Sequence, residues 1–234
     1  VAAVVGFSTK LTTKIIRRAA SAVPNRRLSL DEIAYYGLPH KQLSDAIFSW
    51  RVRNLPYIYR GIRQVLAARK LRIAHMYGSL SLALIDPQGQ MTDFGLASMR
   101  IVTTVGLQFV VNAFQGSQTL SNMRYHGFGT GSAVESIADT ALATELSTQY
   151  ATSGVRPTGS LEYGTDDDGA QLTNVFRTVG TLEPDTTVTL TEHGLFSSAT
   201  AGSGILFDRS TYTATTVLVG FALAAQLDVT LSGS

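Results

Sequence analysis

With 234 residues, 44% of them hydrophobic, the chain is long enough to bury a substantial core. It contains no cysteine, which excludes disulfide staples, thiolate metal sites and a cysteine nucleophile. The formal net charge of +2 conceals a division: residues 1–75 hold 14 of the 19 Lys and Arg but 3 of the 17 acids, a balance of +11, leaving 5 basic and 14 acidic residues, a balance of −9, for the remainder.

That asymmetry reads as a basic arm on an acidic body, suited to nucleic acid, to an acidic protein surface or to the acidic body of a neighbouring copy. The longest apolar run, 217–225, is interrupted by Gly220 and falls short of the roughly 20 residues of a membrane span, so no transmembrane helix is expected. VAAVVGF at 1–7 is shorter than a signal-peptide core, and export is not expected either.

The first 75 residues read as helices punctuated by proline. Ser29 and Glu32 have capping-box spacing, and Gly37 and Pro39 would end the helix they open. A second helix starts near Ser44 and runs through AIFSWRVR to Pro56, which suits the first turn of a third, PYIYRGIRQVLAARKLR. In the third, Ile58, Ile62, Val65 and Leu66 share one face while Arg60, Arg63 and Lys70 point elsewhere. From Met76 the texture changes. YGSLSLALID and MTDFGLASMR, joined by PQGQ, predict a hairpin with Leu80, Leu82 and Leu84 on its buried side. TTVGLQFVVNAFQG predicts a helix with Val105, Phe109 and Val110 on one face, Thr103 or Thr104 as N-cap and Gly116 as stop, although its β-branched residues leave a strand open. Beyond Ser121, NVFRTVGTL, TTVTLTEHGLF, GILFDRSTYTATTVLV and LDVTLS are short Val, Thr, Leu and Phe runs between Gly, Pro, Asp and Ser, the texture of an all-β body. The fold expected is mainly β: a jelly-roll-like β-sandwich over 76–234 with a basic α-helical arm over 1–75.

Each candidate for chemistry has a plainer alternative. In YHGFGTGSA the glycines Gly127, Gly129 and Gly131 are spaced GxGxG, without the GxGxxG of a dinucleotide fold or the Gly-Lys-Ser/Thr of a P-loop. A shaping loop whose glycines supply positive φ is the expectation. Asp166, Asp167 and Asp168 lack the alternate ligands and twelfth-position Glu of a calcium loop, and read as an exposed turn. Of His40, His75, His126 and His193, none has zinc-ligand spacing, but His126 and His193 both precede a glycine in aromatic surroundings and could meet in space. No GxSxG elbow is present. No cofactor, metal or catalytic residue is therefore expected.

Taken in order, DFGLASMRIVTTVGLQFVVNAFQ, NMRYHGFGTGS, ADTALATEL, NVFRTVGTL, TEHGLFS and GILFDRSTYTA resemble a family of tailed-bacteriophage structural proteins, in which a VTTxG segment, an HGxGTG loop, a DTAL element, an EHGxF turn and an LLDR strand follow one another. The resemblance covers about 77–234 and leaves the basic arm outside it. It implies a virion component made in the host cytoplasm, an all-β body that decorates or locks other virion proteins, and no enzyme. The leading expectation is a capsid decoration or cement protein, present in multiple copies or as a homo-oligomer, that binds the major capsid protein. A protein that binds only the assembled shell stabilises it by mass action. Trp50, Arg51, Arg53, Tyr57, Arg60 and Arg63 are the expected partner contacts, since Arg, Trp and Tyr dominate interface hot spots. The alternatives are a tail, baseplate or head-to-tail connector protein, a DNA-binding protein acting through the arm, and a glycan-degrading enzyme with paired carboxylates.

Overall fold

The computed structural model describes residues 40–150, 154–166 and 168–233; the capping box at Ser29 and Glu32 lies outside them. In chain order the elements are α1 (His40–Lys70), β1 (His75–Ile85), β2 (Met91–Ile101), α2 (Thr104–Phe114), a 3-10 turn (Leu120–Asn122), β3 (Tyr125–Gly129), β4 (Glu162–Thr165), β5 (Gln171–Leu182), β6 (Val188–Phe196), β7 (Leu206–Val217) and β8 (Ala222–Ser232). The fold is mainly β. The strands form two antiparallel sheets, one ordered β2-β1-β8-β5-β4 and the other β3-β6-β7.

The expected hairpin forms as β1 and β2. Its turn is closed by Asp86, whose carboxylate accepts from the amides of Gln88 and Gln90, while Gly89 takes a positive φ of 80° that other residues resist. β1 then pairs along its whole length with the last strand, from His75↔Ser232 to Ile85↔Ala222. That register sets Leu80, Leu82 and Leu84 beside Leu227, Ala225 and Leu223, so the alternating apolar residues of both strands face one core. Phe128, Leu190, Leu195, Tyr212 and Val217 of the second sheet enter the same core.

α1 belongs to this core too. Ala46, Trp50, Asn54, Ile58, Ile62 and Val65 lie at helical spacing and are buried. Trp50 joins the main core, and Ile58, Ile62 and Val65 close over Met99 of β2 in a smaller cluster. The helix approaches β2 so closely at Gly61 that a Cβ there would overlap the Met99 carbonyl. From residue 40 onward the basic stretch is thus a helix seated on the body rather than an arm reaching away from it.

One expectation is corrected within α1. Pro56 does not split it into two helices, because the helix is continuous through that residue. Proline removes one hydrogen bond, to the Val52 carbonyl, and costs about 3 kcal/mol in a helix interior. Val52 and Pro56 both face water, and the buried residues on either side of them are held by the same body, so packing outweighs the lost bond.

α2 matches the expected boundaries. Thr103 is the N-cap, its hydroxyl accepting from the Gly106 amide at 3.0 Å and donating to the Leu206 carbonyl at 2.6 Å, and Gly116 ends the helix with φ of 75°. Gly106 sits against the Phe207 backbone, where a Cβ would come within 2.7 Å of the carbonyl oxygen. No helix forms over AVESIADTALATEL; the described residues between β3 and β4 run in bends and turns, with isolated bridges that include Gly129↔Glu145 and Tyr125↔Thr158.

Candidate functional site

The residues singled out as partner contacts fall into two groups. Trp50 is fully buried, its ring 5.2 Å from that of Phe94 and its Nε1 donating to Thr215 Oγ1 at 3.0 Å. Arg51 donates through Nε to the Phe94 carbonyl at 2.7 Å and through a terminal nitrogen to that of Asp93 at 3.1 Å, fastening α1 to β2. Arg60 pairs with Glu135 at 3.2 Å and lies 5.0 Å from the ring centre of half-buried Tyr57. These four serve the chain's own packing. Arg53 and Arg63 are exposed.

The buried line 46–50–54–58–62–65 fixes the helical phase, and the opposite line runs through Val52, Pro56, Tyr59, Arg63 and Lys70, with Arg53 beside it. The aromatic residue on the outward face is therefore Tyr59, 58% exposed, rather than Tyr57. Extending the Ile58/Ile62/Val65 spacing backward through Pro56 would have found it; treating Pro56 as a break lost the phase. The outward ridge is a mixed basic and aromatic surface on a rigid support.

The polar residues of the glycine-rich and histidine-bearing segments converge elsewhere, inside the body. The expected meeting of His126 and His193 occurs: His126 Nδ1 lies 2.9 Å from His193 Nε2, and His126 Nε2 lies 3.0 Å from Thr178 Oγ1. Both rings are fully buried. Burial pushes His126 down to about 3, and burial, with His126 beside it, holds His193 well below the usual imidazole range. Among the described residues His193 Nδ1 has no partner. The protonation that leaves no buried N–H unpaired has His193 Nε2–H donating to His126 Nδ1 and His126 Nε2–H donating to Thr178 Oγ1. The chain His193, His126, Thr178 thereby ties β6 and β3 of one sheet to β5 of the other, and Gly159 and Gly180 make room for the His126 ring.

Glu192, also fully buried, is a second hub. Its carboxylate accepts from the amides of Gly131, Ala143 and Thr144 at 3.0, 3.0 and 2.7 Å and pairs with Arg209 at 2.8 Å. Arg209 in turn holds Asp139 at 2.8 Å and the Ala133 carbonyl at 3.0 Å. Two further pairs act on the same segment. Glu135 is gripped by Arg60, Arg100 and the Thr211 hydroxyl, and Glu145 meets Arg156 through Nε and, at 2.8 Å, a terminal nitrogen. Burial raises Asp208 to about 6, its carboxylate accepting from Ser210 Oγ at 3.0 Å, and burial lowers Arg100 to about 10.

The glycines of YHGFGTGSA are explained by this packing, and the expectation of positive φ is corrected. Gly127, Gly129 and Gly131 are absent from the positive-φ glycines of the chain. They are glycine because their neighbours leave no room: a Cβ at Gly127 would lie 2.6 Å from the Phe196 ring, at Gly129 2.5 Å from the Thr144 carbonyl, and at Gly131 against the Glu192 carboxylate. Asp166 does form the expected exposed turn, accepting from the amides of Asp168 and Ala170. Among the described residues no three His, Asp or Glu side chains are grouped to hold a metal ion, and no helix is long and apolar enough to cross a membrane.

Comparison with protein-family models, with curated proteins and with solved structures finds no match to this chain.

Proposed function

We propose that the chain is a structural protein of a tailed-phage virion, a capsid decoration or cement protein whose two-sheet body, read as a sandwich of jelly-roll type, binds the assembled shell of major capsid protein. The observation that carries this reading is the outward ridge of α1. Arg53, Tyr59 and Arg63 project from a helix fixed by Trp50, Arg51 and Gly61, so a partner meets residue types that dominate hot spots without having to order them. The chemistry-bearing side chains of the phage-like motifs support the same reading, because His126, Glu192, His193, Asp208 and Arg209 are spent on internal bonds that shape the body. Binding confined to the assembled shell would stabilise it by linkage, without a catalytic step.

Co-sedimentation with purified shells tests the proposal. The full chain should pellet with shells at hundreds of copies per particle, and R53E/R63E, two exposed substitutions that leave the fold intact, should bind at least tenfold more weakly. Six or twelve copies confined to the tail axis would place the protein in the tail or connector instead. Salt-sensitive binding to duplex DNA, lost in the same variant while shells are ignored, would make the ridge a nucleic-acid contact.

A further inference from the structure

α2 has a second apolar line that the body does not cover. Phe109 and Gly106 face inward, and Leu107, Val111 and Phe114, at positions i, i+4 and i+7, face water with 41%, 53% and 82% of their surface exposed. The helix is held along its inner side by the Thr103 cap, by the contact of Gly106 with the Phe207 backbone and by Phe109 in the core, so this line is presented rigidly.

We infer that this line is a homodimer contact, closed by the same line of a second copy about a twofold axis. Two observations choose a second copy. First, residues 101–123 contain no Asp, Glu, Lys, Arg or His. A twofold contact brings each residue near its own counterpart, so any charge on the line would face a like charge; here there is none. Secondly, the line fits itself when reversed. Phe114 stands furthest out at one end, Leu107 is the most recessed at the other, and Val111 lies at the centre. Antiparallel pairing sets Phe114 of each copy over Leu107 of the other, with Val111 against Val111 on the axis. The exposed apolar area of the line, of the order of 400 Å² per copy, puts the contact near the lower limit of about 1,000 Å² for a specific interface, so the dimer forms at micromolar rather than nanomolar concentration.

The absence of cysteine provides a register-specific test on the full chain in free solution, which makes it independent of shell binding. Sedimentation equilibrium from about 5 to 500 μM should show the mass rising from 25.1 kDa toward twice that value. Val111→Glu, exposed enough to leave folding intact by circular dichroism, should hold it at 25.1 kDa throughout. Under mild oxidation Val111→Cys should cross-link to itself, whereas Leu107→Cys and Phe114→Cys should cross-link when mixed and each fail to do so alone. A wild-type chain of 25.1 kDa at every concentration overturns the inference. So does a dimer that survives Val111→Glu, or Leu107→Cys cross-linking to itself. Loss of shell binding in Val111→Glu with a monomeric wild type would assign the line to the capsid protein and overturn it equally.

Discussion

Gly61→Ala sets two physical effects against each other in α1. By helix propensity alone alanine is favoured over glycine by about 1 kcal/mol in a helix interior, which predicts a more stable chain. The packing predicts the reverse. An added Cβ would overlap the Met99 carbonyl and lie 2.9 Å from Met99 Cβ, where carbon atoms prefer 3.5–4.0 Å. Relief requires α1 to withdraw by roughly 1.5 Å, and a rigid shift of that size forfeits much of the dispersion between Ile58, Ile62, Val65 and Met99. Overpacking typically costs 1–3 kcal/mol, and the opened cluster adds to it, so the net expectation is a loss of about 2–3 kcal/mol after the propensity gain is subtracted. Urea denaturation followed by far-UV circular dichroism measures it. Ala67→Gly, at an exposed position of the same helix, is the internal control and should lose about 1 kcal/mol. Propensity alone gives the two variants opposite signs; seating of the helix on β2 gives both the same sign. A Gly61→Ala chain as stable as the wild type would refute the close approach.

Stability should fall as pH drops below 6.5, because the unfolded chain takes up protons that His126 and His193, held low by burial, refuse; for two such groups the slope approaches about 2.7 kcal/mol per pH unit, read from urea midpoints between pH 7.5 and 5. Asp208 acts in the opposite direction. Raised to about 6 in the fold, it favours folding fully below the unfolded value of 3.8 and loses that contribution as pH rises through 6, so Asp208→Asn should gain relative to the wild type across that interval and level off above it. Glu192→Gln leaves Arg209 with the partly exposed Asp139 in place of two charge partners and should cost about 3 kcal/mol, with limited proteolysis newly cutting within 130–150; an unchanged digestion pattern would count against Glu192 as the anchor of that segment.

How much of this was legible in the sequence depended on the range of the interaction. The β1–β2 hairpin and α2 were readable because their signals are local: alternation over eleven residues around a Pro-Gln-Gly turn, and a Thr cap with a Gly stop on either side of an apolar face. The continuity of α1 was not, since what overrides Pro56 is the packing of Trp50 against Phe94 and Thr215, contacts 44 and 165 residues apart. The glycines of YHGFGTG were recognised but misassigned. Sequence cannot distinguish a glycine that needs positive φ from one that has no space, and here the occupying atoms come from Phe196, Thr144 and Glu192, all remote in sequence. The His126–His193 meeting was foreseen from parallel surroundings, whereas its third member, Thr178, had no signal among so many threonines.

The same long-range contacts explain why a mainly β body carries so many buried charges. Between β3 and β4 the described residues, about thirty of them, form no helix or long strand and cannot be positioned by a backbone ladder, and apolar anchors alone would tolerate several registers. Ion pairs do not. Glu135 meets Arg60 and Arg100, Asp139 meets Arg209 and Glu145 meets Arg156, each in a geometry completed by backbone groups: the Tyr57 and Met99 carbonyls for Arg100, that of Ala133 for Arg209, those of Ser198 and Ser203 for Arg156. A slip by one residue would leave a carboxylate or a guanidinium buried and uncompensated, at a cost of about 3–5 kcal/mol for each. The pairs add little net stability over well-packed apolar residues, but they penalise every path except one. The acidic excess of the body is in part the chemical address by which this segment is laid across it, while Arg53 and Arg63 stay exposed on the outward face of α1.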